Sequence, residues 1–374
     1  MSQARRIRRV AALSVVKHDY LPRAVAAHPR FDVVVVADDA DRPAWTHERN
    51  TLFARELGVP YVRDVERALR DFDVEAAVVS SEAERHCDLG IRAVEAGLHV
   101  ILDKPMSPSL EECDRMLRTV RAHGVKSFVW NRNFLPAVLN ARDIVHGGAL
   151  GALFAVHCDF YFSKDAGPPK GTRLEKPIDW LERQLEAHAD GSDGGVGVAP
   201  LGELQVEGIY PLAYIRMLTG ARVHRVFART ATHFHQANVD NEVEDLATVT
   251  LEMEGGITGT LCIGRIGAAS HPDIGEIKLH LLGRAGGLVV AEARPEVAVH
   301  YRGQDPKEFR HRRIADENDF LLMEDFARAL DGDGCTVLDV EGARDICAVI
   351  DAAVRSSRSG RPEDVVAAPP VQRA

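Results

Sequence analysis

The sequence predicts an α/β protein: an N-terminal doubly wound parallel sheet, followed by an α/β domain with a large, mainly antiparallel open sheet. Three observations predict it. The first third alternates short apolar, β-branched strands with amphipathic helices that end at glycine, the pattern of a parallel sheet covered on both faces. Beyond about residue 153, strands of alternating polarity follow one another across glycine turns such as 254–256 and 283–287, the pattern of an antiparallel sheet. The length of 374 residues suits two domains.

In order along the first domain, 8–14 reads as a strand, 20–28 as a helix, and 31–37 (FDVVVVA) as a buried strand ending at Asp38-Asp39. A helix over 44–57 closes at Gly58, a strand covers 75–80, and a helix over 84–96 closes at Gly97. Strand 99–102, a helix over 110–123 closed by Gly124, and strand 126–129 complete it. In the second domain, strands are expected at 154–163, 223–231, 245–254, 256–264, 275–282, 287–292 and 296–301. One long helix is expected over 203–218 and two closing helices over 319–330 and 341–358. The boundaries are therefore 1–126, 127–358 and a frayed tail at 359–374, with the closing helices packing back on the first domain. The irregular stretch 164–202, with a helical piece at 178–188, reads as a loop bordering the active site; Arg173 and Trp180 in it are candidates for ligand contact.

Composition narrows the function. Lys and Arg number 46 against 56 Asp and Glu, a net charge of −10, which argues against nucleic acid as a partner. The basic residues at 5–9 read as a solvated leader to the first strand. The apolar run 10–16 is too short for a signal peptide core, and no stretch approaches the ~18–20 apolar residues of a membrane span. The six cysteines are scattered without a C-x-x-C pair, which fits reduced thiols in the cytoplasm and no zinc site. His233 and His235 have a metal-like spacing but no third ligand pattern, so no metal is expected.

Lys104 stands at the carboxyl end of a buried strand, where open α/β sheets bind ligands. Oxidising an alcohol by hydride transfer requires the hydroxyl proton to leave as well, and a partly desolvated lysine can hold that oxygen and relay the proton. Asp38, at the end of the second strand, can accept hydrogen bonds from ribose hydroxyls. With Asp39 beside it and no basic residue immediately following, a 2′-phosphate would be repelled, so NAD is favoured over NADP.

Three segments resemble the Gfo/Idh/MocA oxidoreductase family. AVEAGLHVILDKP over 93–105 is similar to the family's aGkhVlvEKP; VVSSEAERH over 78–86 is similar to a strand followed by tPnxxH. GELQVEGIYPL, from Gly202 through to Gly220, is similar to GGxlxDxGxHxxDxxxxlxG. The resemblance implies a Rossmann domain plus an open-sheet domain whose face often forms a homodimer or homotetramer contact. It implies NAD(P)-dependent interconversion of a secondary alcohol and a ketone on a sugar, cyclitol or related ring. Lys104 falls on the catalytic lysine and Tyr210 on the motif histidine, a position that is also tyrosine in the dihydrodiol and xylose dehydrogenase-like members. The motif aspartate is replaced by Val206. Glu207 lies one residue on, about 100° round a regular helix, and reaches the site only if the helix start is irregular. Where the family has G-x-G-x-x-G, this chain reads SVVKHD over 14–19, without glycine. A phosphate grip would then rest on Ser14, Lys17 or the next helix N-terminus. Ser80, Ser81, His86 and Asp103 are expected on the cofactor side, and Arg132, Asn133 and Asp159 resemble weaker substrate-site positions. The altered loop and acid/base set leave two alternatives: an NAD-retaining transient-redox enzyme (epimerase, eliminase or glycosidase type), and a non-catalytic sensor or accessory protein with a decayed dinucleotide site.

Overall fold

The computed structural model describes residues 6–16, 18–162, 201–233, 236–265, 277–292, 296–301, 307–310, 315–332 and 334–370. Lys17, Arg173, Trp180, His235 and the helical piece expected at 178–188 lie outside the described residues.

The first sheet has six strands in the order β3-β2-β1-β4-β5-β6, with every pair parallel. Its strands are β1 (Arg8–Leu13), β2 (Phe31–Ala37), β3 (Tyr61–Val62), β4 (Ala76–Val79), β5 (His99–Leu102) and β6 (Ser127–Val129). Strand order reverses between β1 and β4, so the crevice at their carboxyl ends is the place where this topology binds ligands. The helices α1 (Tyr20–Ala27), α2 (Ala44–Leu57), α3 (Val65–Asp71), α4 (His86–Glu95) and α5 (Leu110–His123) cover the two faces. Helix α5 shows why they form where they do. Ser109 accepts from the Glu112 N–H at its start, Glu111 and Glu112 stand in its first turn, and Gly124 ends it at φ 63°. Sequence reading found neither β3 and α3, which are short, nor α6 (Pro136–His146), which opens on a proline at its first position.

The second sheet has nine strands in the order β14-β13-β12-β11-β7-β10-β9-β8-β15. They are β7 (Leu153–Phe162), β8 (Val223–Ala231), β9 (Leu246–Met253), β10 (Thr258–Arg265), β11 (Ile277–Gly283), β12 (Gly286–Ala291), β13 (Glu296–Tyr301), β14 (Lys307–Arg310) and β15 (Glu363–Asp364). Among the described residues all its pairs are antiparallel except β7 with β10. Inward residues such as Val156, Cys158, Val249, Leu251, Leu261 and Leu279 join the main core. His157, Asp159, Thr248, Thr250 and Lys278 face outward on the uncovered side. Asp159 is therefore turned away from the helices and from the crevice.

The helix expected over 203–218 is two helices, α7 (Glu203–Glu207) and α8 (Ile209–Thr219). Gly208 N–H bonds to the Leu204 carbonyl at 3.0 Å and Leu212 N–H to the Gly208 carbonyl at 3.2 Å. Pro211 has no N–H to give the Glu207 carbonyl, so the ladder is interrupted at that point. A short helix α9 (Gln236–Asp240) precedes β9, and α10 (Ala315–Leu330) and α11 (Val340–Ser359) close the fold. Phe326 of α10 packs on Phe31 and Phe128. Helix α11 is capped by Asp339, which accepts from the Gly342 N–H, and lies against both α5 and β8. The closing helices thus bind the two sheets together.

Through its described residues, 359–370, the tail is ordered rather than frayed. Glu363 and Asp364 pair with β8 as β15. The fully buried Arg344 guanidinium donates to the carbonyls of Val366 (2.6 Å) and Ala367 (3.0 Å) and pairs with Asp114 at 2.6 Å. A buried cation needs several acceptors, and the tail supplies two that no local sequence signal announces.

Candidate active site

At the β5 end of the crevice, strand register delivers Asp103 and Lys104 next to the start of α8. Lys104 is 5% exposed. Its Nζ lies 3.0 Å from Glu207 Oε2, donates to the Val206 carbonyl at 3.3 Å and sits 5.0 Å from the centre of the Tyr210 ring. The break at Gly208 is the irregular helix start that Glu207 needed to reach the lysine. Arg265, from β10, lies 3.7 Å from Glu207 and 2.6 Å from Glu203, giving a buried chain Lys104–Glu207–Arg265–Glu203. Burial raises the Glu203 carboxyl to about 7, with Arg265 opposing and Glu207 adding to the shift.

Tyr210 stands under an aromatic wall. Trp130 meets it edge-on at 5.6 Å and Phe160 at 6.4 Å, Arg132 lies 5.4 Å over its ring, and Tyr20 packs on Trp130 at 4.9 Å. Arg132 in turn pairs with Glu292, while Asn133 donates its backbone N–H to the Asn131 side chain within the same buried turn. Burial, with Glu207 nearby, pushes the Tyr210 phenol well above its ordinary value. At neutral pH Tyr210 is thus a proton donor.

Asp103 is fully buried and accepts from the His18 ring (2.8 Å), the Ser80 hydroxyl (2.8 Å), Tyr20 (3.2 Å) and the Lys104 N–H (2.7 Å). Burial acts to raise its pKa, but the charge and hydrogen bond of His18, helped by His86 and the Lys104 N–H, hold it well below the usual carboxylate range. Three residues expected on the cofactor side are buried and hydrogen-bonded within the protein. His86 is fully buried, with its ring nitrogens against the carbonyls of Pro105 (2.7 Å) and Ser81 (2.9 Å). It bolts the lysine loop to the end of β4 instead of facing the crevice. Ser81 turns its hydroxyl to the Glu82 carbonyl at 3.0 Å, and Ser80 gives its own to the His18 carbonyl at 2.6 Å as well as to Asp103. Both serines are fully buried.

At the β1 end, Ser14 adopts the left-handed region at φ 53°, so it makes the turn that the first glycine makes in a G-x-G-x-x-G loop. The first three N–H groups of the loop are already engaged: Ser14 to the Ala37 carbonyl (2.8 Å), Val15 to Asn50 Oδ1 (2.8 Å), and Val16 to the carbonyls of Ser14 (3.1 Å) and Ser80 (3.3 Å). Arg49 donates to the Val16 carbonyl. A cleft of about 320 Å³ opens beside the loop between α1 and α2.

Asp38 is fully buried, held by Asn50 (3.1 Å) and by Arg85 (2.8 Å). Asp39 receives Arg85 at 3.0 Å and both terminal nitrogens of Arg92 at 2.8 and 2.9 Å. Along the chain no basic residue immediately follows these aspartates, but across the fold α4 and its approach lay two arginines on them. Repulsion of a 2′-phosphate by bare carboxylates is therefore not the electrostatics of this site. Sequence reading also missed His18, Tyr20, Trp130, Glu203 and Arg265. Glu203 lies within the motif itself, one residue after Gly202. The other four are joined to the site only by sheet topology.

The residues fit a nicotinamide dinucleotide. A strand-end carboxylate, a glycine-like turn at Ser14 and a buried lysine at the β5 end all occupy the crevice of the parallel sheet. The N–H groups of Ser14, Val15 and Val16 are already taken by protein acceptors. Among the described residues no group of three His, Cys, Asp or Glu could hold a metal ion, and no helix is long and apolar enough to cross a membrane.

Comparison with known proteins agrees with this geometry. Residues 13–130 match the family model described as an oxidoreductase family with an NAD-binding Rossmann fold, and 202–289 match the GFO/IDH/MocA C-terminal domain. Trans-1,2-dihydrobenzene-1,2-diol dehydrogenase of Bos taurus is 27% identical over 211 residues, 56% of this chain and 54% of that one. The 1,5-anhydro-D-fructose reductase of Ensifer adhaerens is 33% identical over 135 residues, 35% of this chain and 39% of that one. The match to the bovine enzyme spans about half of that protein's length. Among solved structures, a levoglucosan dehydrogenase in complex with NADH and levoglucosan superposes with a TM-score of 0.78 at 18% identity, covering 96% of this chain and 100% of that one. An oxidoreductase from Agrobacterium radiobacter in complex with NAD+, L-tartaric acid and magnesium gives 0.77 at 17%, covering 96% and 98%. At these identities the structures establish the shared fold.

Proposed function

Because the chain belongs to the Gfo/Idh/MocA oxidoreductase family, we propose that it is an NAD-dependent dehydrogenase or ketoreductase acting on a secondary alcohol of a sugar, cyclitol or sugar-like metabolite. The observation that carries this reading is the buried contact of Lys104 with Glu207, 3.0 Å apart at the carboxyl end of β5. The cofactor, when bound, supplies the hydride acceptor. Lys104 holds the substrate hydroxyl and relays its proton to the Glu207 carboxylate, which becomes the carboxylic acid. The Tyr210 phenol, protonated at neutral pH, donates a hydrogen bond to the reacting oxygen. Trp130, Tyr20 and Phe160 wall the pocket, excluding water and strengthening every charge interaction inside it. Asp38 and Asp39 take the ribose end, with Asp103 and Ser80 fixing the β5 loop under the nicotinamide end. The uncovered face of the second sheet is the proposed contact of a homodimer or homotetramer.

The test is direct. NADH and NADPH are titrated against the purified protein, and a panel of polyols, cyclitols and sugar lactols is then screened for NADH formation. Micromolar NADH binding with stoichiometric NADH formation on one ring alcohol is the expected result. Failure of both dinucleotides to bind would overturn the reading.

A further inference from the structure

We propose that Arg85 is the phosphate anchor of the dinucleotide in this chain, doing with a guanidinium what backbone N–H groups do in a glycine loop. This rests on the NAD-dependent reading above. Three observations carry it. The N–H groups of Ser14, Val15 and Val16 are engaged with protein acceptors, and α1 adds little, because Pro22 in its first turn has no N–H and Asp19 puts a carboxylate at its start. Three backbone donors at the start of the loop are therefore closed to an anion. The same end of the crevice gathers Asp38, Asp39 and Glu82, a concentration of negative charge that would repel a pyrophosphate.

The Arg85 guanidinium meets all three, at 2.8, 3.0 and 3.4 Å, and reaches Ser14 Oγ at 3.4 Å. It thus lies between the ribose carboxylate and the glycine-like turn, where the phosphates of a dinucleotide on this sheet must pass. Its side chain is 17% exposed while that of Asp38 is fully buried, so an incoming anion meets the cation first. The neighbouring arginines are committed elsewhere: Arg42 to Glu82, Arg92 to Asp39 and Glu66, and Arg49 to the Val16 carbonyl. Arginine's planar array of five donors allows it to keep one carboxylate while turning an edge to a phosphate.

Wild type, Arg85→Ala and Arg85→Lys are titrated with NADH by fluorescence at low and high salt, with thermal unfolding of each as a check on folding. Arg85→Ala should raise the Kd about 10- to 100-fold, the loss expected for a charge-assisted contact, and flatten its salt dependence. Arg85→Lys, which keeps the charge but not the planar geometry, should fall between. If Arg85→Ala does not fold, Arg85→Lys decides: a several-fold loss supports the proposal and wild-type affinity overturns it. Unchanged or tighter NADH binding by a folded Arg85→Ala overturns it too, since the arginine would then be a bystander or a plug. In that case wild type still binds NADH and the dehydrogenase reading stands, whereas wild type binding neither dinucleotide would remove that reading itself.

Discussion

The crevice over the parallel sheet has two ends that solve the same problem, charge buried near a ligand, in opposite ways. At the β5 end a lysine is met by one acid, Glu207, at 3.0 Å, and the pair is backed by Arg265 and Glu203. An acid thus meets the lysine even though the motif aspartate is Val206. The acid has moved by one residue, and the break at Gly208 turns it back. At the β1 end none of the three glycines remains. Backbone donors have been turned inward and three carboxylates are balanced by arginines that come from a different strand–helix unit. One end sets its acid by a shift of backbone; the other balances its acids with arginines from elsewhere in the fold.

The largest expected effect tests the β5 end. Lys104→Ala should lower kcat by about 10²- to 10⁴-fold, the range for a group that positions and relays the substrate proton, while NADH affinity changes by less than about 3-fold, well under one charge-assisted contact. A variant that keeps full turnover would show that the lysine is structural, and the contrast between the two ends would disappear.

Next is the backbone break itself. A Cβ on Gly208 would meet the Leu204 carbonyl oxygen at 2.3 Å and Ile350 at 3.3 Å. Because the nearer obstacle is backbone, it cannot swing aside. Gly208→Ala should cost about 1–3 kcal/mol by denaturant unfolding and lower kcat by displacing Glu207. Loss of stability with full kcat would mean that Glu207 does not need this turn to serve Lys104.

A smaller effect concerns the buried chain behind the lysine. The Glu203 carboxyl is raised from 4.5 to about 7 by burial. A folded-state value above the unfolded one means that the folded protein holds the proton more tightly. That contribution is complete below about pH 4 and is lost as pH rises through 7, on the order of 3 kcal/mol in total. Glu203→Gln cannot ionise, so its unfolding free energy should fall less than wild type's between about pH 5 and 8. Parallel pH profiles would place the charge on another group of the chain.

Much of this arrangement was legible in the sequence, for reasons that are themselves physical. Parallel strands buried on both faces read as β-branched runs, and helices declare themselves by caps such as Ser109 and Gly124, so β2, α2, β5 and α5 lie where the pattern put them. Lys104 and Tyr210 could be placed because their segments are local. What could not be read is carried by contacts between distant segments. Arg85 covers Asp38 from 47 residues away and Arg265 meets Glu203 from 62, and neither spacing has a periodic signature. The order of the tail escaped for the same reason, since it depends on one buried arginine and one strand pair. Burial, too, is a property of the fold. His86 reads in sequence as a helix-start residue near the cofactor, yet both of its nitrogens are taken up by carbonyls.

The smallest expected effect bears most directly on how the β1 end was rewritten. If the loop merely decayed, each former glycine position should now suit its new side chain. Ser14 does not, because at φ 53° an L-residue is held where only glycine is unstrained, at a cost of about 1 kcal/mol or more. Ser14→Gly removes that strain but also the 3.4 Å contact with Arg85 and adds unfolded-state freedom. Stability should therefore change by less than about 1 kcal/mol, in either direction. Val16→Gly, at a site 3% exposed, deletes a buried side chain and should cost about 1–3 kcal/mol. That unequal pair of results would mean the first glycine's backbone path has been kept while the second position has been absorbed into the core. Equal, large losses at both positions would mean that the whole loop has a new conformation, and that the likeness of its first turn to a phosphate loop is accidental.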